Sequence, residues 1–216
     1  MMRFAPEGYP FLLFFLVITM ITAVFAIWAA IFPFVVALFM AYFFRDPERT
    51  IPGGDNIFLS PADGKVILIQ DVGEEQIPPI CASQWGREGR LIGVSIFMSP
   101  LDVHVNRAPC DGVVESVVHT PGRFLSAFKQ EASSENENIA MLLETRYGKV
   151  LVRQVAGFLA RRAVCRVKTG DLLRRGERYG IIKFSSRLDI YLPANTVLKV
   201  GLGDRVRAGE SVLGEI

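Results

Sequence analysis

No charged residue interrupts the chain from Phe11 to Phe44, a run of 34 positions. Few environments accept such a run. A helix on the surface of a water-soluble protein carries polar residues on its outer face. A secretory signal has an apolar core of only about 7–15 residues and a small-residue cleavage site after it, and no convincing site of that kind follows Phe44. A membrane fits better, because a spanning helix needs about 20 apolar residues. As a single helix the run would be roughly 51 Å long at 1.5 Å per residue, too long for a hydrocarbon core of about 30 Å. Pro33 lies inside the run and favours a break or kink near Ala29–Pro33. The pattern therefore predicts two short helices, about 11–29 and 34–44. Arg3 precedes the run, and Arg45 and Arg49 follow it. Basic flanks at both ends put both ends on the cytoplasmic side, as a helical hairpin or re-entrant anchor over residues 1–44.

Residues 45–216 carry 23 bases and 21 acids, an ordinary charged surface on a body large enough to bury its own core. The net charge of +2 is too balanced for a dedicated nucleic-acid binder. Cys81, Cys110 and Cys165 are odd in number and widely spaced, so they make neither a disulfide framework nor a CxxC metal site. Reduced thiols in a cytosol-facing domain suit them better.

Past the turn-rich Pro52-Gly53-Gly54-Asp55, short β-rich segments are predicted at 57–59, 65–70, 91–97, 112–118, 149–155, 163–167, 180–184, 188–192 and 197–200. A helix is predicted near Gly122–Glu131 and a short one near Phe158–Arg162. The fold class is mostly β (α+β): a compact antiparallel β domain preceded by the hydrophobic helical anchor. Ser60-Pro61-Ala62-Asp63-Gly64-Lys65-Val66 and Gly203-Asp204-Arg205-Val206-Arg207-Ala208-Gly209-Glu210 both resemble the turns of biotinyl- or lipoyl-type β hammerheads. A carrier domain would place an acceptor lysine at a hairpin tip, and neither Lys65 nor Lys199 sits in such a motif.

The residues narrow the chemistry. The only histidines are His104 and His119, with no HxxxH or HxH spacing, so no metal site is expected. Neither a GxSxG nor a Walker sequence is present. What stands out are polar residues in otherwise apolar, turn-bounded strands. Asp63 precedes Gly64 in a tight turn, where an aspartate ordinarily serves as a turn former. Asp102 and His104 stand at i, i+2, on one face if the segment is a strand. Ser185 and Ser186 lie between Phe184 and Arg187, just ahead of the apolar strand Leu188–Leu192.

Taken together and in order, these segments resemble the short-type, pyruvoyl-dependent phosphatidylserine decarboxylases over nearly the whole chain. The resemblance is carried by Phe43-Phe44-Arg45-Asp46-Pro47-Glu48-Arg49, by Leu59-Ser60-Pro61-Ala62-Asp63-Gly64-Lys65-Val66, and most specifically by Met98-Ser99-Pro100-Leu101-Asp102-Val103-His104-Val105-Asn106-Arg107-Ala108-Pro109. It continues through His119-Thr120-Pro121-Gly122-Arg123-Phe124, Ser134-Glu135-Asn136-Glu137-Asn138, Ala160-Arg161-Arg162 and Gly180-Ile181-Ile182-Lys183-Phe184-Ser185-Ser186-Arg187. One position departs from the family pattern. The family has Gly-Ser at its self-cleavage site, and here Ser185 replaces the glycine while Ser186 keeps the serine. A glycine there tolerates a strained backbone and a close approach of the attacking oxygen, so a Cβ at 185 is expected to slow cleavage without forbidding it.

The resemblance implies a zymogen that cuts itself. His104 would act as the base on Ser186, oriented by Asp63 in a triad-like relay, with Asp102 the competing orienter. Ser186 Oγ would attack the carbonyl of Ser185, and an N-to-O acyl shift would give an ester. β-Elimination would then release a β chain, 1–185, and leave an α chain, 186–216, which hydrolysis caps with a covalent pyruvoyl group formed from Ser186. That ketone would take the phosphatidylserine amine as a Schiff base and accept the electrons left by CO₂, giving phosphatidylethanolamine in phospholipid biosynthesis. His104 is the expected proton donor to the product carbanion, and His119 the alternative. Arg107, Arg123 and Arg187 are the candidates for the lipid phosphate. The implied partners are phosphatidylserine, the bilayer, the paired α and β chains and, by family analogy, a second copy in a homodimer. The implied location is the cell membrane, with the catalytic domain facing the cytoplasm, because the substrate stays in the bilayer. The alternative is an uncleaved, catalytically silent lipid-binding homologue.

Overall fold

The computed structural model describes residues 3–73, 90–122, 136–157, 163–183 and 186–216. The chain divides into two units, Met1–Glu48 and Arg49–Ile216.

The first unit is a helical hairpin. Strand β1 (Arg3–Phe4) leads into helix α1 (Tyr9–Phe25), a short 3-10 turn (Ile27–Ala30), helix α2 (Ile31–Phe43) and strand β2 (Arg45–Asp46). β1 and β2 pair antiparallel, Arg3 opposite Asp46 and Phe4 opposite Arg45, so both ends of the hairpin close on one another. The Ala5 N–H donates to Phe44 O at 2.9 Å, and Phe44 stacks on Phe11. Arg45 donates to the Tyr42 carbonyl at 2.8 Å, a cation at the carbonyl end of α2, where the helix dipole favours it. Pro6–Phe25 is long and apolar enough to cross a membrane. The break differs from the sequence reading. It falls at Ala26, which is extended (φ −157°, ψ 113°), and Pro33 sits inside the first turn of α2. A first-turn proline surrenders no helical hydrogen bond, because the N–H it lacks would have no partner within the helix.

The second unit is a curled antiparallel sheet with two smaller sheets. In chain order its strands are β3 (Ile57–Leu59), β4 (Gly64–Val72), β5 (Leu91–Met98), β6 (Val105–Arg107), β7 (Gly112–Thr120), β8 (Asn138–Thr145) and β9 (Gly148–Val155). They continue with β10 (Ala163–Cys165), β11 (Leu172–Leu173), β12 (Arg178–Ile182), β13 (Ser186–Pro193), β14 (Val197–Leu198), β15 (Arg205–Val206) and β16 (Val212–Glu215). The large sheet runs β11-β7-β8-β9-β13-β5-β4-β15, and the small ones β10-β12-β6 and β14-β16-β3. The mostly-β architecture read from the sequence is the one seen. β8 was not among the strands read from sequence. The two helices expected at Gly122–Glu131 and Phe158–Arg162 fall outside the described residues, apart from Gly122 itself.

Strand β13 explains how the core is built. It lies between β5 and β9, and alternation gives it two buried faces. Leu188, Ile190 and Leu192 face the main core with Ile96, Val94 and Val152, while Tyr191 faces a second cluster with Leu151, Leu142, Ala140 and Val72. The two hammerhead-like stretches come together: β15 pairs with the start of β4, Arg205 opposite Lys65 and Val206 opposite Gly64.

Candidate active site

Ser186 opens β13 directly opposite Met98 of β5 and is fully buried. Its side chain lies on the face of Leu188, toward the main core. β12, in a small sheet, ends at Ile182, and β13, near the centre of the large one, begins at Ser186. Ser185 itself, the other residue of the expected cleavage pair, lies outside the described residues, as does Arg123.

His104 is also fully buried. It does not share a strand face with Asp102, as the i, i+2 spacing suggested, because β6 begins only at Val105 and residues 99–102 form a turn. The turn is closed by Asp102, whose N–H donates to Ser99 O at 3.0 Å. Its Oδ2 accepts from the Ser99 N–H at 2.8 Å and the Ser99 hydroxyl at 2.7 Å. Oδ1 faces Arg205 at 3.5 Å. What Asp102 offers His104 is its main-chain carbonyl, 3.0 Å from Nδ1. A carbonyl only accepts, so Nδ1 carries the proton and Nε2 is the basic nitrogen of the neutral ring. The His104 carbonyl in turn accepts the Ile182 N–H at 3.2 Å, tying the histidine to the end of β12, four residues before Ser186.

Asp63 is held by other groups. Gly64, with φ +153°, turns the chain where a Cβ would come within 2.2 Å of Phe97 O, so only glycine fits there. The turn presents Asp63 to Arg49, whose Nη2 donates to both carboxylate oxygens at 2.7 and 3.0 Å. The Ala208 N–H donates to Asp63 Oδ1 at 2.8 Å, and Arg49 Nη1 reaches Glu210 at 3.2 Å. Burial pushes the Asp63 carboxyl above the usual carboxylate range, against the pull of Arg49 and Ala208, and the nearby Asp102 charge adds to the rise. Among the described residues no hydrogen bond joins Asp63 to His104, and the orienting contact on the histidine is the Asp102 carbonyl.

The remaining expected residues are dispersed. His119 ends β7 half exposed, with Nε2 3.2 Å from Glu137. Arg107 is buried and donates to the Gly176 carbonyl at 2.9 Å. Arg187 lies on the face of β13 opposite Ser186. There its Nε donates to Asp189 at 2.6 Å and Nη2 to the Ser95 hydroxyl at 2.7 Å, while Arg153 donates to the other Asp189 oxygen at 2.9 Å and to the Tyr191 hydroxyl at 2.9 Å.

Sequence reasoning missed Arg49, the buried Arg153–Asp189–Arg187 cluster, and an amide pair on the core face, Gln154 and Asn106 (2.8 Å). Their one signal was polarity in the wrong place: Gln154 and Asp189 each interrupt an apolar strand.

A family model for phosphatidylserine decarboxylase matches residues 36–214. A phosphatidylserine decarboxylase proenzyme of Geotalea uraniireducens is 45% identical over 213 residues, covering 97% of this chain and 95% of its own length. One of Desulfotalea psychrophila is 42% identical over 214 residues, with 98% and 96% covered. One of Geobacter sulfurreducens is 46% identical over 217 residues, with 97% and 95% covered.

Proposed function

Because this chain belongs to the phosphatidylserine decarboxylase family, we propose that it converts phosphatidylserine to phosphatidylethanolamine in phospholipid biosynthesis, using a pyruvoyl group made from its own Ser186. The observation that carries the reading is that a fully buried serine heads a central strand while a fully buried histidine with a set tautomer is tied, through the Ile182 N–H, to the strand four residues before that serine. Nε2 of His104 takes the hydroxyl proton, and Ser186 Oγ attacks the carbonyl of Ser185. The nitrogen of residue 186 leaves that carbonyl, and an ester joins the two residues. Loss of the α proton of residue 186 expels the β chain as a carboxylate, and one water hydrolyses the resulting dehydroalanine to the ketone with release of ammonia.

The residues present suit a pyruvoyl end at position 186. The position is enclosed on the core side, beside Met98 and away from bulk water, where a reactive ketone is protected. When formed, that group supplies a Schiff-base electron sink for the pair of electrons that CO₂ leaves behind. His104, held by a carbonyl on one nitrogen, returns a proton from the other. Asp63 has a second role to offer through Arg49, since the two form a charged base to the turn next to β6: Arg107 N–H donates to Pro61 O at 3.0 Å.

The apolar hairpin supports a place in the cell membrane with both chain ends on the cytoplasmic side. An anchor keeps the site at the headgroup plane, where the substrate resides.

The test is a denaturing gel of the full-length chain with CO₂ release from phosphatidylserine in detergent. The active protein gives a 31-residue fragment, 186–216, with no free amino end by mass spectrometry. Ser186→Ala gives one intact band. His104→Ala slows cleavage about 10²- to 10⁴-fold, the usual contribution of a general base. Ser185→Gly cleaves at least as fast as the parent. A parent chain that stays whole and releases no CO₂ sinks the proposal and leaves the silent homologue.

A further inference from the structure

We propose that Gln154 supplies, through Oε1, the hydrogen-bond acceptor for the nitrogen that residue 186 frees during self-cleavage. The inference rests on the cleavage reading above and adds a catalytic residue to it.

Gln154 stands opposite Leu188 in the β9–β13 register, so it shares the core face with Leu188 and with Ser186, two residues earlier. It is the diagonal cross-strand neighbour of Ser186, a separation of about 7–8 Å between backbones that a long side chain spans. Only 1% of Gln154 is exposed. Its Nε2 donates to Asn106 Oδ1 at 2.8 Å and, at 3.4 Å, toward the Val164 carbonyl. A carbonyl can only accept, so the amide nitrogen belongs on that side and Oε1 on the other. Among the described residues Oε1 has no hydrogen-bond partner. A buried amide oxygen left unsatisfied is costly, and native folds rarely keep one without use.

The surroundings are built to hold this amide. Asn106 Nδ2 points at Met98 Sδ, 4.0 Å away, and Met98 is the cross-strand partner of Ser186. Asn106 thus touches both Gln154 and Met98, and Met98 and Gln154 are the direct and diagonal cross-strand neighbours of Ser186. Asn106 is two residues along the chain from His104. Gly180 makes the room: a Cβ there would lie 2.8 Å from Gln154 Nε2 and 2.3 Å from Val164 O.

The chemistry creates the donor that Oε1 lacks. In the acyl shift the Ser186 Oγ–C bond forms, the hydroxyl proton passes to His104, and the C–N bond to residue 186 breaks. The nitrogen takes up that proton, so an amide N–H becomes a primary amine. The step is an isomerisation and needs no co-reactant. The amine has one N–H more than the amide it replaces, at a fully buried residue. Gln154 Oε1 accepts it and draws the amide–ester balance toward the ester.

Full-length chains carrying Gln154→Met and Gln154→Glu test this, followed by denaturing gel and by hydroxylamine, which cuts only the ester. Gln154→Met keeps the length and removes the acceptor. Cleavage and the hydroxylamine-released fraction should fall about tenfold, the worth of one net hydrogen bond. Gln154→Glu keeps acceptor oxygens but loses the donor to Asn106. It should restore both to within about threefold of the parent. Parental behaviour of Gln154→Met overturns the proposal. So does a Gln154→Glu chain as slow as Gln154→Met, which would mean that only the donor side matters. If Gln154→Met does not fold, judged by melting in the uncleavable Ser186→Ala background, Gln154→Glu alone decides by the same threefold criterion. Failure of the cleavage reading is separate: there the parent itself gives neither fragments nor hydroxylamine product.

Discussion

Asp63 and Arg49 show how a single buried pair can carry much of a site's order. Their side chains are 13% and 7% exposed, so neither charge has water to fall back on. Breaking such a pair from one side strands the other charge and costs about 3–5 kcal/mol. Arg49→Gln should therefore lower the urea stability of the uncleaved Ser186→Ala chain by about 3 kcal/mol. Adding Asp63→Asn should return part of that loss, because the stranded carboxylate is gone. If the double variant loses the sum of the two single losses, the pair is not coupled. Cys110 gives a pH-dependent counterpart. It is buried, and burial pushes its thiol up to about 12, from 9.0 in the open chain. Below pH 9 both states keep the proton. Between pH 9 and about 12 the unfolded chain releases it and the native one does not, so stability falls as pH rises, by up to about 1.4 kcal/mol per pH unit from this group. Cys110→Ala should flatten the alkaline limb of a stability–pH curve relative to its parent, and an unchanged limb would exclude the thiol as its cause.

At the scale of elements, what the sequence revealed and what it hid follow from the range of the forces. The hairpin was legible because an uncharged run of this length has few solvents to choose from. Its break was misread because Pro33 was taken as a helix breaker, whereas seven residues earlier the chain turns at Ala26. Short strands bounded by Gly, Pro and Asp were legible from local alternation. β8 was not. Asn138-Ile139-Ala140-Met141-Leu142-Leu143-Glu144-Thr145 is rich in helix formers, and it is a strand because β7 and β9 pair with it along its length. Tertiary pairing overrode propensity. The site divides the same way. Ser186, His104 and Asp63 stand out in the sequence through an ordered set of motifs, and the first two are fully buried in the structure. Arg49 does not stand out, since its partner Glu210 lies 161 residues away, nor does Gln154, whose use depends on a register. The hairpin carries its own prediction. Its tip exposes Phe25 (85%) and Trp28 (81%), the side chains that would enter the bilayer first. Phe25→Asp with Trp28→Asp should move the chain out of the carbonate-washed membrane fraction. Cleavage should persist, since its residues all belong to the second unit. Retention in the membrane fraction would mean that the tip is not what inserts.

For the whole molecule, the proposed cut leaves the pairing of β13 whole. It severs the peptide ahead of Ser186, and the first register pair of β13 is Ser186 with Met98, so none of the eight pairs to β5 or the five to β9 is lost. The 31 residues beyond the cut also supply β15, paired with β4, and β16, paired with β3. Ala208 caps Asp63 and Glu210 holds Arg49 across the same boundary. The small chain of the proposed cut would keep a central strand of the large sheet, with Leu188, Ile190, Leu192 and Leu213 in the main core. Burying four such side chains favours association by about 1.5–3 kcal/mol each, before its hydrogen bonds are counted. The two pieces should therefore co-elute as one particle in detergent at neutral pH, and separate only in denaturant. Refolding the separated large piece alone should fail, because β5 and β9 would each face an empty strand position. A small piece that elutes by itself under native conditions would show that β13 is not held as its register implies, and the site at its head would then lack a fixed position for residue 186.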